Sequence, residues 1–352
     1  MFYRTPNIPD IIRNSFLGRL RWRGMEISKS VNKVHFAFGV IADVQYANIE
    51  DGYNFAKTTR RYYRTALPML TRAIDSWKSD GVCKPQFVLQ LGDALDGKNK
   101  GHNISESSLT SVVNEFSKFK GPMYHIWGNH EYYNFSRQQL MSSPLYSGKE
   151  QNAIPVEGKA YYAVIPHSKL RILALDCYEI SQLASPHGSL EYTQACEYMA
   201  NNVNEDQNSS IGLEGVNRRF VKYNGAFSEE QIIWIDSNLG EAEELKQNVI
   251  IIGHCGICPG ATDDSCLCWN FPDVLSVIQS RPCVLAYLSG HDHSGGRNVD
   301  EHGILHMAYP GVLENNVESD FGTCYMYSDK LVMKGNGRVP NLELNLRYKI
   351  DS

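Results

Sequence analysis

One stretch, Gln86-Phe87-Val88-Leu89-Gln90-Leu91-Gly92-Asp93, ends an apolar, β-favouring run on a glycine that is followed at once by a carboxylate. In open α/β sheets the reactive side chains gather where strands end, because rigid strands hold the variable loops that follow them. A Gly-Asp pair after a strand is also a common turn. The remainder of the chain therefore decides whether Asp93 is functional.

Four other strand-like segments also end on polar side chains. Residues 35–42 lead to Asp43-Val44-Gln45, 123–127 to Gly128-Asn129-His130-Glu131, 248–252 to Gly253-His254, and 284–288 to Ser289-Gly290-His291-Asp292-His293. Turns alone do not account for so many polar strand ends. The carboxyl ends of these strands are expected to lie along one sheet edge.

Helical patterns separate these strands, which predicts an α/β fold. Thr58 is a candidate N-cap for a helix that ends near Asp80-Gly81, and Ser105–Phe119 is a second amphipathic helix. Ser228 and Gln231 form a capping-box pattern before a third helix. Residues 136–160 are expected to be irregular, and the polar stretch 185–217 is interpreted as a surface insertion or lid.

Size and charge restrict the function. The 352 residues carry a formal net charge of −5, and no long basic run lies outside the N-terminus, which argues against nucleic-acid or membrane-surface binding. No segment reaches the roughly 18 uninterrupted apolar residues of a membrane span. Residues 1–33 are interpreted as a disordered or targeting tail, and 34–352 as a single domain.

The nine cysteines have no framework spacing, which favours reduced thiols in an intracellular protein. We therefore expect a cytoplasmic monomer. Mitochondrial targeting by the arginine-rich tail is the alternative.

The polar strand ends carry metal-ligand chemistry. Three oxygen-donor residues (Asp43, Asp93, Asn129), three histidines (His254, His291, His293) and Gln45 would share one edge. Carboxylate, amide and imidazole together suit Mn, Fe, Zn or Mg. Seven ligands exceed one tetrahedral site, so two metals that share a carboxylate are expected, with a bridging hydroxide that attacks phosphorus.

These five blocks resemble the five motifs of the calcineurin-like metallophosphoesterases and follow in the same order. The resemblance implies a β-sandwich flanked by helices, in α-β-β-α layers, with the metal site at the carboxyl ends of the strands. One departure concerns position 45, where the family commonly has histidine and this chain has Gln45.

A narrower resemblance covers nearly the whole chain after the tail. The segments 39–47, 51–55, 60–64, 89–93, 127–137 and 333–340 resemble the manganese-dependent ADP-ribose/CDP-alcohol diphosphatases, in which glutamine is the residue expected at position 45. One local mismatch is Gly253-His254-Cys255-Gly256, which stands in place of the expected Ser-His-Leu-Pro.

The resemblance implies the role of each site residue. Asp43, Gln45, Asp93 and His293 would hold a first metal ion; Asp93, Asn129, His254 and His291 would hold a second. His130 would be the acid or electrostatic partner of the leaving group, a role that suits an imidazole. Both ions would be divalent cations. Mn²⁺ is the expected metal, and Mg²⁺, Fe and Zn are the alternatives.

Substrate contacts are predicted at Phe55, Cys266, Trp269 and Asn270. Phe55 would stack on a base or pack against a ribose, and the other three would line a nucleoside pocket. Arg60 and Arg61 are expected to be solvated rather than bound to phosphate.

The predicted activity is hydrolysis of the diphosphate bond of ADP-ribose and CDP-alcohols such as CDP-choline, which releases AMP or CMP and a phosphorylated partner. The expected partners are small nucleoside diphosphates. The alternatives are a phosphomonoesterase or cyclic-nucleotide phosphodiesterase of the same superfamily, and a metal-binding scaffold without turnover. Retention of His130 argues against the scaffold.

Overall fold

The computed structural model describes residues 33–54 and 56–350, so the predicted tail, apart from Lys33, and Phe55 lie outside the described residues. The first of two large sheets contains six strands in the spatial order β15 (Leu342–Asn345), β14 (Lys330–Asn336), β13 (Phe321–Met326), β1 (Phe36–Ile41), β4 (Phe87–Gln90) and β5 (Met123–His125). β1, β4 and β5 are parallel, whereas β13–β15 are antiparallel.

The second large sheet contains seven strands in the order β11 (Gly296–Val299), β12 (Leu305–Ala308), β10 (Val284–Ser289), β9 (Asn248–Ile252), β8 (Leu170–Ala174), β7 (Tyr162–His167) and β6 (Ala153–Pro155). Its central strands β8, β9, β10 and β12 are parallel. A separate hairpin pairs β2 (Gly52–Tyr53) with β3 (Arg60–Arg61).

Eight α-helices accompany these strands in the described residues: α1 (Ala66–Ser79), α2 (Lys98–Gly101), α3 (Ser105–Phe116), α4 (Asn129–Asn134), α5 (Arg137–Ser142), α6 (Leu190–Met199), α7 (Glu229–Glu244) and α8 (Phe271–Gln279). None of the helices in the described ranges has the length and apolarity that a bilayer span requires.

The two large sheets pack face to face. Phe38 and Leu89 from the first sheet share one buried cluster with Ile172 and Ile250 from the second. Alternate residues of a strand point to opposite faces, so the neighbouring positions meet the helices. At Gly39 an added Cβ would lie 2.6 Å from the Trp77 ring of α1. The predicted helix-flanked β-sandwich is confirmed.

Some predicted boundaries are wrong. Thr58 does not cap α1, which begins at Ala66 after Thr65. The Asn54 side chain instead accepts the backbone N–H of Thr58 at 2.8 Å and closes the β2–β3 hairpin. Within 136–160, expected to be irregular, α5 forms because Ser136 and Gln139 cap it reciprocally.

The segment 185–217 contains α6, which packs Ala195 and Met199 against Trp269. Ser228 caps α7 as predicted, by accepting the N–H of Gln231. The Gln231 side chain, however, binds Asp176 rather than Ser228.

Candidate metal centre

The predicted ligands of the first metal converge where β1, β4 and β10 end. The His293 Nε2 atom lies 3.3 Å from Asp43 Oδ1. The Gln45 amide nitrogen lies 2.9 Å from both Asp93 Oδ2 and His293 Nε2. All four side chains are buried. The β-sandwich therefore brings together residues that lie up to 250 positions apart.

The predicted ligands of the second metal lie beside the first group. His254 Nε2 is 3.3 Å from Asp93 Oδ2, and Asp93, His254 and His291 each offer a ligand atom within 4.8 Å of the others. Asn129 is buried in the first turn of α4, and its Oδ1 accepts the Tyr178 hydroxyl at 3.3 Å. Asp93 is thus the residue that contacts both groups.

The backbone at these strand ends is strained. Asp43, Gln45, Asp93 and His291 have φ of 50°, 41°, 54° and 70°, in the left-handed region that side chains other than glycine rarely adopt. Such strain persists where the surrounding structure requires it, and it concentrates at functional sites.

Two glycines allow the ligands to approach one another. A Cβ on Gly128 would lie 2.1 Å from Asp93 Oδ1 and 2.5 Å from His254 Nε2. A Cβ on Gly290 would lie 2.3 Å from Asp43 Oδ2. Any larger residue at either position would therefore occupy the centre of the site.

In each of the three ligand imidazoles, the ring nitrogen that faces away from the other ligands has a hydrogen-bond partner. This nitrogen is called the outer nitrogen. His254 Nδ1 donates to the Leu91 carbonyl at 2.8 Å, and His293 Nδ1 lies 2.9 Å from Glu314 Oε1. His291 Nε2 lies 2.7 Å from Asn224 Oδ1. In the neutral rings these partners place the proton on the outer nitrogen, so that the other nitrogen can bind a metal.

Asn224 accepts from His291 because its own amide nitrogen is already engaged. That nitrogen donates to the Arg219 carbonyl at 2.9 Å and to the Ser265 carbonyl at 2.8 Å. The side-chain oxygen is therefore the atom that faces the imidazole. Sequence patterns did not identify Asn224 or Glu314, since neither follows one of the strand ends that carry the predicted ligands.

Buried carboxylates and burial have opposite effects on the pKa values of the ligand histidines. Burial lowers the pKa of His254, but the negative charge of Asp93 raises it to about 10. Burial likewise opposes the positive form of His293, whereas contacts with Asp43 and Glu314 raise its pKa to about 9. The buried carboxylates thus stabilise positive charge at His254 and His293, as a set of cation ligands does, whereas burial and the charge of His254 lower the pKa of His291.

The donor set fits divalent cations. Gln45 Oε1 and His254 Nε2 are buried and have no hydrogen-bond partner among the described residues. Such atoms are costly to leave unpaired, so a partner is expected at both. Carboxylate, amide and imidazole donors without thiolates match Mn²⁺ and similar ions.

His130 projects from α4 beside these ligands. Its backbone N–H donates to Asp93 Oδ1 at 2.9 Å, and its Nε2 lies 3.9 Å from Asp93 Oδ2. The Gly97 N–H donates to His130 Nδ1 at 2.7 Å, so the proton of the neutral ring is on Nε2. Asp96, three residues after Asp93 and not predicted, lies 3.3 Å from the same Nδ1.

Glu131 ties two strand ends together. Its carboxylate accepts the N–H groups of Asp93 and Gly128, both at 2.8 Å, and that of Ala94 at 2.7 Å. This single buried side chain therefore fixes the loops after β4 and β5 relative to each other.

The predicted substrate contacts are not all placed at the site. The Trp269 side chain is 1% exposed and donates to the Val221 carbonyl, and both ends of the Asn270 amide bind the backbone of Phe227. These contacts hold a loop in place and leave neither side chain open to a ligand. Cys266 is partly exposed, and Phe55 lies outside the described residues.

A family comparison accounts for this arrangement. The model of the calcineurin-like phosphoesterases matches residues 36–295, which include every predicted metal ligand. The chain belongs to this family.

Relatives within the family match over most of their length. The manganese-dependent ADP-ribose/CDP-alcohol diphosphatase of Xenopus laevis is 41% identical over 334 residues, which cover 91% of this chain and 93% of the relative. The human protein of the same name is 41% identical, and the match covers 89% of this chain and 93% of the human protein. The Arabidopsis thaliana protein of the same name is 39% identical, and the match covers 88% of this chain and 96% of that protein.

A solved structure matches equally well. A dimetal phosphatase from Danio rerio superposes with a TM-score of 0.84 at 39% identity, over 89% of this chain and all of that one. The fold of the described residues and the fold of this relative are therefore the same.

Proposed function

We propose that this protein hydrolyses the diphosphate bond of ADP-ribose and of CDP-alcohols such as CDP-choline. The reaction uses two divalent cations, and Mn²⁺ is the expected metal. The observation that carries the proposal is the convergence of seven ligand-type side chains at strand ends of the two large sheets, in a chain about 40% identical, over most of its length, to relatives named for this activity.

The residues fall into two ligand groups in this proposal. Asp43, Gln45, Asp93 and His293 hold the first cation, and Asp93 with three further residues (Asn129, His254 and His291) holds the second. Bound cations supply charge that polarises phosphoryl oxygens and makes water a stronger nucleophile.

His130 acts on the leaving group. Its Nε2 lies on the Asp93 side of the ring, and the imidazolium form can give its Nε2 proton to the departing phosphate oxygen and become the neutral ring. The negative charge of Asp96, whose Oδ2 lies 3.3 Å from His130 Nδ1, stabilises the ring while both of its nitrogens carry protons. The chain therefore supplies a positioned proton donor beside the metal ligands.

The Asn224→Leu variant is expected to bind the second cation about 10- to 100-fold more weakly, the usual cost of removing a partner of a metal-bound imidazole. His291 loses the acceptor that fixes its ring proton. Electron paramagnetic resonance of free Mn²⁺ during a titration measures both sites. Asn201→Leu, at an exposed asparagine, is the matched control. Unchanged affinity at both sites would remove Asn224 from the ligand support.

A substrate panel tests the proposed activity. ADP-ribose, CDP-choline, p-nitrophenyl phosphate and cyclic AMP are each incubated with protein that is loaded with Mn²⁺ or Mg²⁺ or depleted of metal. We expect kcat/KM for the two diphosphates to exceed that for the two other compounds by at least about tenfold, which is 1.4 kcal/mol, and to need metal.

Two outcomes of the panel would contradict the proposal. Mn²⁺-loaded protein that cleaves only p-nitrophenyl phosphate or cyclic AMP is a phosphomonoesterase or a cyclic-nucleotide phosphodiesterase. Metal-loaded protein that cleaves none of the four compounds fits a binding scaffold.

We propose further that the protein works as a monomer in the cytoplasm, with mitochondrial targeting by residues 1–33 as the alternative. All nine cysteines are free thiols, which supports a reducing compartment. Residues 34–352 would act as a single domain in which 185–217 is a surface insertion.

A further inference from the structure

Three cysteine side chains meet beside the candidate metal centre, and we call them the thiol cluster. Cys177, Cys255 and Cys268 are free thiols with 0% exposure, and each offers a sulfur atom within 4.8 Å of the other two. Metal–sulfur bonds of about 2.3 Å, as in zinc sites, place the sulfurs that share one ion about 4 Å apart. The spacing of the thiol cluster therefore suits three ligands of a single cation.

The backbone brings the three thiols together. Strands β8 and β9 pair in parallel, and Cys177 and Cys255 each lie three residues beyond the end of their strand. The Cys268 N–H donates to the Gly256 carbonyl at 2.9 Å, which returns the loop after β9 to its own beginning. Strand register and one backbone hydrogen bond thus fix the positions of all three cysteines.

The thiol cluster uses different side chains from the candidate metal centre. His254 Nε2 lies 3.3 Å from Asp93 Oδ2, whereas Sγ of the next residue, Cys255, lies 3.4 Å from the Tyr178 hydroxyl oxygen. The same hydroxyl oxygen is 3.3 Å from Asn129 Oδ1. The thiol cluster is therefore a separate group that lies next to the proposed ligands of the second cation.

Thiols select different cations from carboxylates and amides. Thiolate sulfur prefers soft cations such as Cu⁺ and Zn²⁺, whereas carboxylate and carbonyl oxygens suit Mn²⁺ and Mg²⁺. Buried thiolates are costly without a positive partner, and a bound cation supplies that partner. The nearby Tyr287 hydroxyl is 3.9 Å from Cys177 Sγ and donates to the Cys255 carbonyl at 2.9 Å, so its proton is already engaged. The chain thus carries two ligand groups with different metal preferences.

We propose that the thiol cluster binds one soft cation, Cu⁺ or Zn²⁺, as a metal site separate from the candidate metal centre. The ion joins the segments that follow β8 and β9 to the loop that returns at Cys268, and it thereby holds in place the segment that carries His254. The local mismatch at 253–256 supplies Cys255, so the site belongs to chains that have cysteine at this position. Its occupation does not depend on diphosphate hydrolysis.

The charge-transfer absorption of metal-bound thiolates tests this inference, because oxygen and imidazole ligands do not produce it. Reduced, Mn²⁺-loaded protein is titrated without oxygen with Cu⁺ and, separately, with Cd²⁺, a visible substitute for Zn²⁺. A competing chelator suppresses binding by single thiols. We expect the Cu⁺ absorption to level at one ion per chain.

Cysteine variants identify the ligands. Cys177→Ala, Cys255→Ala and Cys268→Ala should each weaken Cu⁺ binding by at least about tenfold, since loss of a mere outer partner of a ligand already costs that much. Cys324→Ala is the matched control, at a buried free cysteine outside the thiol cluster, and should match the wild type. Thermal unfolding checks that each variant is folded. Unchanged binding in any folded variant of the thiol cluster would overturn the three-thiol site.

X-ray absorption of the wild-type protein with one equivalent of Cu⁺ keeps the test independent of how the variants fold. Three sulfur neighbours around the copper would support the inference. A copper ion with nitrogen and oxygen neighbours only, or the absence of charge-transfer absorption with both Cu⁺ and Cd²⁺, would mean that the three cysteines merely pack in the core and would overturn it.

Discussion

The Asp93→Asn variant is expected to lose both cations and to lower kcat/KM by at least about a thousandfold, or 4 kcal/mol. Asp93 Oδ2 lies 2.9 Å from Gln45 in one ligand group and 3.3 Å from His254 in the other. Its side chain is 1% exposed, so water cannot replace the lost charge. Removal of one carboxylate therefore weakens two sites at once.

Asparagine is the sharpest replacement at this position. It preserves the side-chain volume and can still accept the N–H of His130, which Asp93 Oδ1 does at 2.9 Å. The loops held by Glu131 should consequently keep their positions, because Glu131 binds the backbone N–H of residue 93 and not its side chain. Thermal unfolding of the metal-free proteins checks that the fold is retained.

The controls for Asp93→Asn are variants of residues in one ligand group only. Gln45→Ala and Asp43→Asn should mainly lower the occupancy of the first cation, whereas Asp93→Asn should lower that of both. Metal analysis after dialysis gives the two occupancies. If Asp93→Asn kept both ions at full occupancy, the bridging role of Asp93 would be lost.

The ligand groups could be predicted because chain order and sheet geometry agree. Parallel strands in one sheet share a carboxyl edge, which predicts that Asp43 and Asp93 lie together. His254 comes from the second sheet and meets them because the two sheets pack face to face. The alternation of β1, with Phe38 inside and Gly39 against Trp77, follows in the same way from the period of a strand. Local periodicity is thus sufficient to predict a site residue that directly follows a regular strand.

The supporting residues could not be predicted because irregular segments deliver them. Asn224 lies in a loop after the 185–217 segment, and Glu314 lies in a short turn that follows β12. Arg61, which is expected to be solvated, lies with Nη2 3.4 Å from His293 Nδ1, because the β2–β3 hairpin forms where the sequence predicts a longer α1. In each case a long-range contact sets the position, and no local pattern encodes that contact.

Trp269 is a residue whose position in the sequence and whose packing in the fold point to different roles. Its place between two ligand blocks in the sequence suggested a ligand pocket, yet its ring is packed with Met199 and Tyr198 from the 185–217 segment. Burial of a large apolar side chain stabilises the protein wherever a partner surface is present. The approach of α6 therefore turns this residue into a core position.

The His130→Ala variant is expected to lower kcat for ADP-ribose by about 10²- to 10⁴-fold, the usual contribution of a positioned proton donor, while both cations remain bound. His130 contacts the ligand set through its backbone N–H, which the variant keeps, and its imidazole is not needed to hold a cation. Steady-state kinetics and metal analysis measure the two effects. His102→Ala, at an exposed histidine, is the matched control.

The leaving group separates proton donation by His130 from a purely structural role. A p-nitrophenyl ester of AMP releases p-nitrophenolate, which departs without a proton, so His130→Ala should slow it at least about tenfold less than it slows ADP-ribose. A merely structural residue would slow both substrates by the same factor, because misplaced ligands impair attack on either phosphorus. Equal factors for the two substrates would therefore remove His130 from proton transfer and would leave the leaving phosphate to the cations.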